Sequence, residues 1–409
     1  MECRNCKNTL KHKFADLESS PPSNSFISEE GLNEVEHYYP LKIFVCEKCF
    51  LVQVDEYKKT ETIFDDSYAY FSSFSKSWLE HAKKYSYEIK DYLDLNSESM
   101  VIEVASNDGY LLKNFKDMGI PCLGVEPTKN TAKVSMQKGI ETICEFFGEE
   151  LGKYLVNQNK QADLIIGNNV LAHVPDIHDF VQGFTETLKP EGIVTLEFPY
   201  LVNLIKLNQF DTIYHEHFSY LSITAIKDVF GKHDLEIFKI DELDTHGGSL
   251  RVYVKRVESK RAITPSVGKI LDLEKEVGID KIEFYENFQE KCDTIKLELL
   301  EFLISKKKEG AKVAAYGAAA KGNTLLNYCG VKKDLLSFVV DASPYKQGKY
   351  LPGSRIPVVN MDVLLKEKPD YIIILPWNLK TEITALLKEK CDWNYKLVVP
   401  IPALEIFEE

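Results

Sequence analysis

The chain reads as an α/β protein in three parts: a small cysteine-bearing N-terminal domain, then two Rossmann-like units, the second one smaller. Three observations carry this reading. Two Cys-x-x-Cys pairs, Cys3/Cys6 and Cys46/Cys49, flank a Ser/Pro/Asn-rich stretch (Ser19 to Ser25) in a helix-poor segment. From about residue 78 to 290, apolar runs of strand length (Met100–Ala105, Pro121–Glu126, Leu164–Gly167, Gly192–Phe198) alternate with helical patterns, the rhythm of a parallel sheet wrapped by helices. The alternation restarts with Lys312–Tyr316, Ser337–Asp341 and Tyr371–Pro376, after what reads as one long charged amphipathic helix over about 270–307. The expected divisions are 1–75, 76–300 and 301–409.

Composition narrows the function classes. A chain of 409 residues exceeds one ordinary core. Its 44% hydrophobic and 28% charged content is that of a globular protein. A net charge of −13 argues against a nucleic-acid-binding surface, which needs a basic stripe. No stretch reaches the roughly 20 apolar residues of a membrane span. The first residues lack the apolar core of a secretory signal, so a cytoplasmic location is expected. Nine cysteines without a disulfide-like framework fit a reducing compartment.

Each Cys-x-x-Cys knuckle lets two thiolates reach one ion. Two knuckles a few tens of residues apart complete a tetrahedral all-thiolate zinc site, Cys3, Cys6, Cys46 and Cys49. Four cysteines leave no open position for water, so the Zn2+ is expected to be structural. The alternative is two unrelated buried pairs.

Val101-Ile-Glu-Val-Ala-Ser-Asn-Asp-Gly109 is an apolar strand breaking into a small, polar turn before the helical Tyr110–Phe115. Glu103, Ser106, Asn107, Gly109 and Tyr110 are its candidate cofactor residues. The next strand ends in Glu126, a carboxylate suited to two ribose hydroxyls. A turn plus a strand-end acid also describes a dinucleotide site. Here G-x-G-x-x-G is missing, so a pyrophosphate has no cradle, whereas S-adenosylmethionine carries no phosphate and needs none. Phe146 and Phe147 can flank an adenine or belong to the core, and Asn168 and Asn169 end a third strand at the site edge.

Such a site supplies an electrophilic methyl group but usually no base. Tyr214-His215-Glu216-His217 can provide one. If extended, Tyr214 and Glu216 point one way and the two histidines the other. Two histidines can share a metal, but no third ligand or HExxH helix accompanies them. Proton transfer by one histidine is more economical, with Glu216 tuning it and Tyr214 bonding to a developing oxyanion. A polar strand end without chemistry is the bland alternative. His173 follows a strand at the same edge, as a site residue or as a cap or core histidine. His246-Gly-Gly-Ser249-Leu-Arg251 is a further polar turn that can meet a substrate.

In the C-terminal part, Val313–Thr324 is again strand, small-residue turn and helix. It resembles a P-loop only in outline, since Asn323 stands where that motif requires lysine. A turn with Gly317, Lys321 and Asn323, followed by Asp341 and Lys346, reads as an anchor for a phosphorylated or nucleotide-linked substrate. A lobe without ligand is the alternative.

Taken together, these motifs resemble those of the sugar C-methyltransferases acting on nucleotide-linked keto-deoxysugars, in particular the C-3 methyltransferases of branched-sugar pathways. The likeness spans nearly the whole chain. It rests on the two knuckles, Glu103–Gly109, Asn169–Asp176, Phe210–Tyr220, His246–Tyr253, Tyr316–Gly322 and Leu375–Leu379. The resemblance implies a zinc-binding domain, a central S-adenosylmethionine-dependent methyltransferase domain of Rossmann-like fold, and a smaller C-terminal Rossmann-like domain that helps hold the nucleotide-sugar. It also implies a monomer or weak dimer. By motif position, His217 would be the proton-abstracting base, with Tyr214, Glu216 and His173 around the sugar. Tyr68 or Tyr70 would reach in from the zinc domain. A 4-keto group acidifies the C–H at the third carbon, and the resulting enolate is the nucleophile. The competing readings are methylation at C-5 or at an oxygen, and a zinc-stapled protein that binds nucleotide-sugars without turnover.

Overall fold

The computed structural model describes residues 1–57 and 71–408, so Tyr68 and Tyr70 lie outside the described residues. The N-terminal lobe contributes β1 (His12–Ser20), β2 (Tyr39–Val45) and β3 (Val52–Val54). The central lobe contributes β4 (Val101–Val104), β5 (Cys122–Val125), β6 (Glu141–Ile143), β7 (Ala162–Asn168), β8 (Leu188–Pro199), β9 (Ser219–Tyr220), β10 (Leu235–Leu243) and β11 (Ser249–Arg256). The last lobe holds β12 (Val313–Tyr316), β13 (Val339–Val340), β14 (Val358–Val359), β15 (Tyr371–Ile374), β16 (Lys396–Val399) and β17 (Glu405–Phe407).

The central sheet has the order β10-β11-β8-β7-β4-β5-β6, with β11 antiparallel to both neighbours. Helices cover both faces, so β4 is buried along its whole length and β7 nearly so, which is why both are rich in Val, Ile or Leu. The C-terminal sheet, β14-β13-β12-β15-β16-β17, is parallel except for β17. The N-terminal sheet is antiparallel and has the order β1-β2-β3-β9. Its fourth strand comes from the far side of the chain and follows His217 directly.

Two local devices aim residues at the site. Helix Lys76–Leu93 is capped by the Ser75 hydroxyl, which accepts from Trp78 N, and ends at left-handed Asp94. It buries Trp78, Ala82, Tyr85 and Ile89, the stripe of an amphipathic helix. Helix Ile177–Thr187 is capped by Asp176, whose carboxylate accepts from His178 N and Asp179 N, so the Val-Pro-Asp after His173 is a helix start. The single connector expected over 270–307 is instead two helices, Pro265–Val277 and Phe288–Glu309. Gly278 ends the first in the left-handed region (φ 84°), and Asn287 (φ 64°) reorients the chain before the second. No helix among the described residues is long and apolar enough to cross a membrane.

Candidate active site

A cavity of about 850 Å³ opens where the three lobes meet. Its cofactor end is built on the turn after β4. Ala105 (φ 56°), Asn107 (φ 49°) and Gly109 (φ 74°) all take left-handed backbone, a strained run of the kind that clusters at ligand sites. Gly109, a candidate cofactor residue, is pressed against protein instead. A Cβ there would meet Ile140 Cδ1 at 2.6 Å and Ser135 Oγ at 2.7 Å, on the protein side. The Glu126 carboxylate stitches the turn together, accepting from Asn107 N and Thr128 N at 2.9 Å each. Burial raises the Glu126 carboxyl above its ordinary value, and the bonds from Thr128 and Asn107 pull the other way. Glu103 lies beneath the turn, buried, and burial with the neighbouring Asp108 and Glu126 charges holds it well above the carboxylate range.

The wall itself fits S-adenosylmethionine. Asn168 Oδ1 and Nδ2 and Asn169 Oδ1 are buried atoms without a hydrogen-bond partner among the described residues, and both side chains line the cavity with Glu126, Asn107 and Tyr110. Phe147 is core and wall at once, packed edge-on against Phe180 (5.6 Å), while Phe146 is 46% exposed and flanks the opening. Glu103, Ser106 and Gly109 lie behind the wall and shape it.

The four knuckle sulfurs lie within 4.8 Å of one another, with Cys3–Cys49 at 3.5 Å and Cys6–Cys46 at 3.4 Å. Tetrahedral zinc with bonds of about 2.3 Å needs separations of about 3.8 Å. Gln53 Nε2 donates to Cys3 Sγ at 3.3 Å and Lys48 N to Cys46 Sγ at 3.4 Å, as donors around thiolate ligands do. The set fits structural zinc.

The base cluster is not extended. His217 N donates to Tyr214 O (2.9 Å), closing a turn at His215 and Glu216 that puts Tyr214 and His217 on the same side. Tyr214 Oη and His217 Nε2 are 2.8 Å apart. His217 Nδ1 lies 2.9 Å from the Thr212 carbonyl, which can only accept, so Nδ1 carries the proton and Nε2 accepts from the tyrosine. The His173 ring stands edge-on to His217 at 4.5 Å. His215 turns away and bonds to the Tyr39 and Pro40 carbonyls (3.2 and 3.3 Å), which removes it from any shared metal. Glu216 is buried against the N-terminal lobe and accepts from Asn24 N at 3.3 Å.

From the other side come His246, Lys321 and Lys346. His246 meets the Trp78 ring edge-on at 5.2 Å. The next residue must be glycine, because a Cβ on Gly247 would lie 2.2 Å from Trp377. Lys321 Nζ donates to Asn378 Oδ1 (2.8 Å) and sits 4.5 Å above the Trp377 ring. Burial lowers its pKa, with the Asp211 charge opposing. Lys346 Nζ donates to Ala318 O (2.8 Å) at the cavity wall.

Five residues read as substrate contacts lie off the wall. Arg251 is buried in an ion pair with Glu197 (3.0 Å), and Ser249 Oγ donates to Thr245 O. Gly317 is pressed against Pro376, Asn323 Nδ2 donates to Ser23 O (2.6 Å), and Asp341 caps Ala318 N and Ser343 N. Each satisfies a structural need inside its own lobe or at a lobe boundary. Conversely, the sequence reading missed Asn24, Trp78, His81 and Asn378 on the wall. Trp78 stacks on His81 (5.0 Å), whose Nε2 is 2.9 Å from buried Glu197. Burial alone would raise Glu197, but His81 and Arg251 hold it at about 2. The spacing of Trp78 and His81 on one helix face behind a Ser75 cap was the available signal.

The imidazoles of His173, His217 and His246 face this enclosed cavity, and burial lowers all three, His173 and His246 to about 4. A proton on His173 or His246, and the Lys321 charge, would depress His217 further, against the raising effect of its bond to Thr212. All three are therefore neutral at pH 7. A histidine held below its unfolded value stabilises fully above about pH 6.5, and that stability is lost as pH falls, because the unfolded chain takes the proton first. Between pH 6.5 and 5, the stability of His246→Gln should accordingly rise by about 1–2 kcal/mol relative to the parent. Urea unfolding at the two pH values checks this, and a difference independent of pH rejects it.

A Rossmann-like sheet carrying a strand-end carboxylate and cavity-facing asparagines beside a tyrosine–histidine pair defines an S-adenosylmethionine-dependent methyltransferase. Family models match along the chain: a "Putative zinc binding domain" over 3–64, a "Methyltransferase domain" over 78–240 and a "C-methyltransferase C-terminal domain" over 244–402. The chain is 33% identical over 401 residues to C-methyltransferase NovU of Streptomyces niveus, covering 98% of this chain and 95% of that protein. The protein belongs to this C-methyltransferase family. Partial likenesses among solved structures include an S-adenosylmethionine-dependent methyltransferase from Anabaena variabilis (16% identity, TM-score 0.36, 44% of this chain and 85% of that one). Another is magnesium protoporphyrin IX methyltransferase from Synechocystis (13% identity, TM-score 0.34, 44% and 83%).

Proposed function

We propose that the protein methylates C-3 of a nucleotide-linked 4-keto-deoxysugar by base-catalysed enolate formation. The observation that carries this reading is the Tyr214–His217 pair at 2.8 Å, in the cavity that also holds Glu126 and Asn168. Glu126, Asn107, Asn168 and Asn169 would hold S-adenosylmethionine, which would supply an electrophilic methyl group. The chain's own task is to make a nucleophilic carbon. The Thr212 carbonyl leaves His217 Nε2 as the proton acceptor, and the lowered pKa keeps it unprotonated at neutral pH. In the absence of substrate, the Tyr214 hydroxyl occupies that lone pair. A substrate carbonyl that takes the hydroxyl for itself frees Nε2 for the adjacent C–H and places a donor on the developing enolate oxygen. Lys321 and Lys346 at the C-terminal wall suit a diphosphate, whose charge would offset the cationic field that depresses His217.

The test is incubation with a small panel of nucleotide-linked 4-keto sugars in deuterated buffer. Deuterium uptake at C-3 without the methyl donor, and a C-methyl product at C-3 with it, is the expected result. A product methylated on oxygen or at C-5, with no C-3 exchange, overturns the assignment.

A further inference from the structure

We propose that Arg4 is a positioning residue that ties the catalytic His217 to the zinc knuckle. The inference takes its functional meaning from the reading of His217 as the base. Strand β9 begins two residues after His217, yet it belongs to the zinc-lobe sheet, with Val52 opposite Tyr220 and Gln53 opposite Ser219. Between them stands Phe218, gripped from both sides. Its N–H donates to Ala172 O at 2.7 Å, next to His173. Its carbonyl accepts from Val54 N at 3.1 Å and from Arg4 Nη1 at 3.3 Å.

Arg4 is the side chain able to carry the metal's rigidity to that carbonyl. It follows the ligand Cys3, its backbone N–H donates to Gln53 Oε1 (2.9 Å), and Gln53 Nε2 in turn donates to Cys3 Sγ (3.3 Å). The same Nη1 also donates to Val54 O (2.6 Å), and the guanidinium lies over the Phe218 ring at 5.2 Å. One nitrogen thus bridges the carbonyls of Val54 and Phe218, while the guanidinium lies over the ring of the residue that follows the base. A lysine ammonium has no plane to lay over that ring. The β3–β9 pairing spans two residues and by itself holds the turn loosely. With Arg4, the position of Phe218, and so of the His173–His217 pair, is set from the zinc site.

Full-length zinc-loaded Arg4→Met tests this with two readouts. In ligand-free protein, solvent exchange of the His217 Nδ1–H, assigned by its disappearance in His217→Asn and followed by ¹⁵N NMR, should accelerate at least about tenfold. With a substrate identified by the panel, kcat should fall about 10- to 100-fold while zinc content and S-adenosylmethionine affinity stay within about twofold of the parent. The NMR arm needs no substrate, so failure of the panel leaves it standing. If Arg4→Met is isolated without zinc, Arg4→Lys, which keeps the charge, carries the same measurement. A zinc-replete variant whose His217 proton exchanges at the parent rate overturns the proposal.

Discussion

Replacing His217 by asparagine should abolish methyl transfer while S-adenosylmethionine still binds. Asparagine can keep a donor toward the Thr212 carbonyl, the bond that anchors the ring's Nδ1 at 2.9 Å. It has no lone pair basic enough for a carbon acid. A positioned general base is worth about 10²–10⁴ in rate, and a C–H substrate lies at the upper end because water is a poor substitute. The residues proposed to hold the cofactor, Asn107, Glu126 and Asn168, lie at the C-terminal ends of β4, β5 and β7, apart in the chain from the 214–217 turn. Binding should therefore be spared, and calorimetry with S-adenosylmethionine separates the two effects. Turnover within about tenfold of the parent would reject His217 as the base.

Removing zinc should cost both the N-terminal lobe and the activity. Structural zinc contributes about 10–16 kcal/mol of binding energy to a site formed only on folding, comparable with the whole stability of a typical domain. The lobe's antiparallel sheet has three strands of its own, and its fourth, β9, follows the turn that holds the proposed base. Cys46→Ser, or exhaustive chelation, should thus lower the melting temperature of this lobe and stop methyl transfer, although no cysteine touches the cavity. One zinc per chain in the parent, its loss in the variant, and parallel loss of turnover are the expected results. A metal-free protein with parent activity would show that the lobe does not hold the base.

The recoverable part of this molecule was chemistry carried by neighbours in sequence. Four thiols in two knuckles need one another, and the structure gathers them within 4.8 Å. An apolar run ending in a carboxylate is a buried parallel strand meeting a ligand edge, and Glu126 does line the cavity. The errors came where a side chain's partner lies far away in sequence. Arg251 looked like a substrate contact until Glu197, 54 residues earlier, claimed it. Asn323 looked like a substrate ligand, but its amide serves Ser23, 300 residues away. The His81–Glu197 bond, spanning 116 residues, hid a wall residue in what reads as an ordinary helix face.

By itself, then, the sequence determined the three-part α/β layout, the four-cysteine cluster and the methyl-donor edge. Those depend on residue type and short spacing, which local sterics and ligand chemistry translate directly into geometry. Only the tertiary structure decided that Tyr214 and His217 face each other across a turn, and that the strand following them is laid into the zinc sheet. The first rests on the His217 N–Tyr214 O bond that closes the turn, and the second on backbone pairings with Val52–Val54 and Ala172, contacts whose cost in chain entropy is met by packing that no local pattern records.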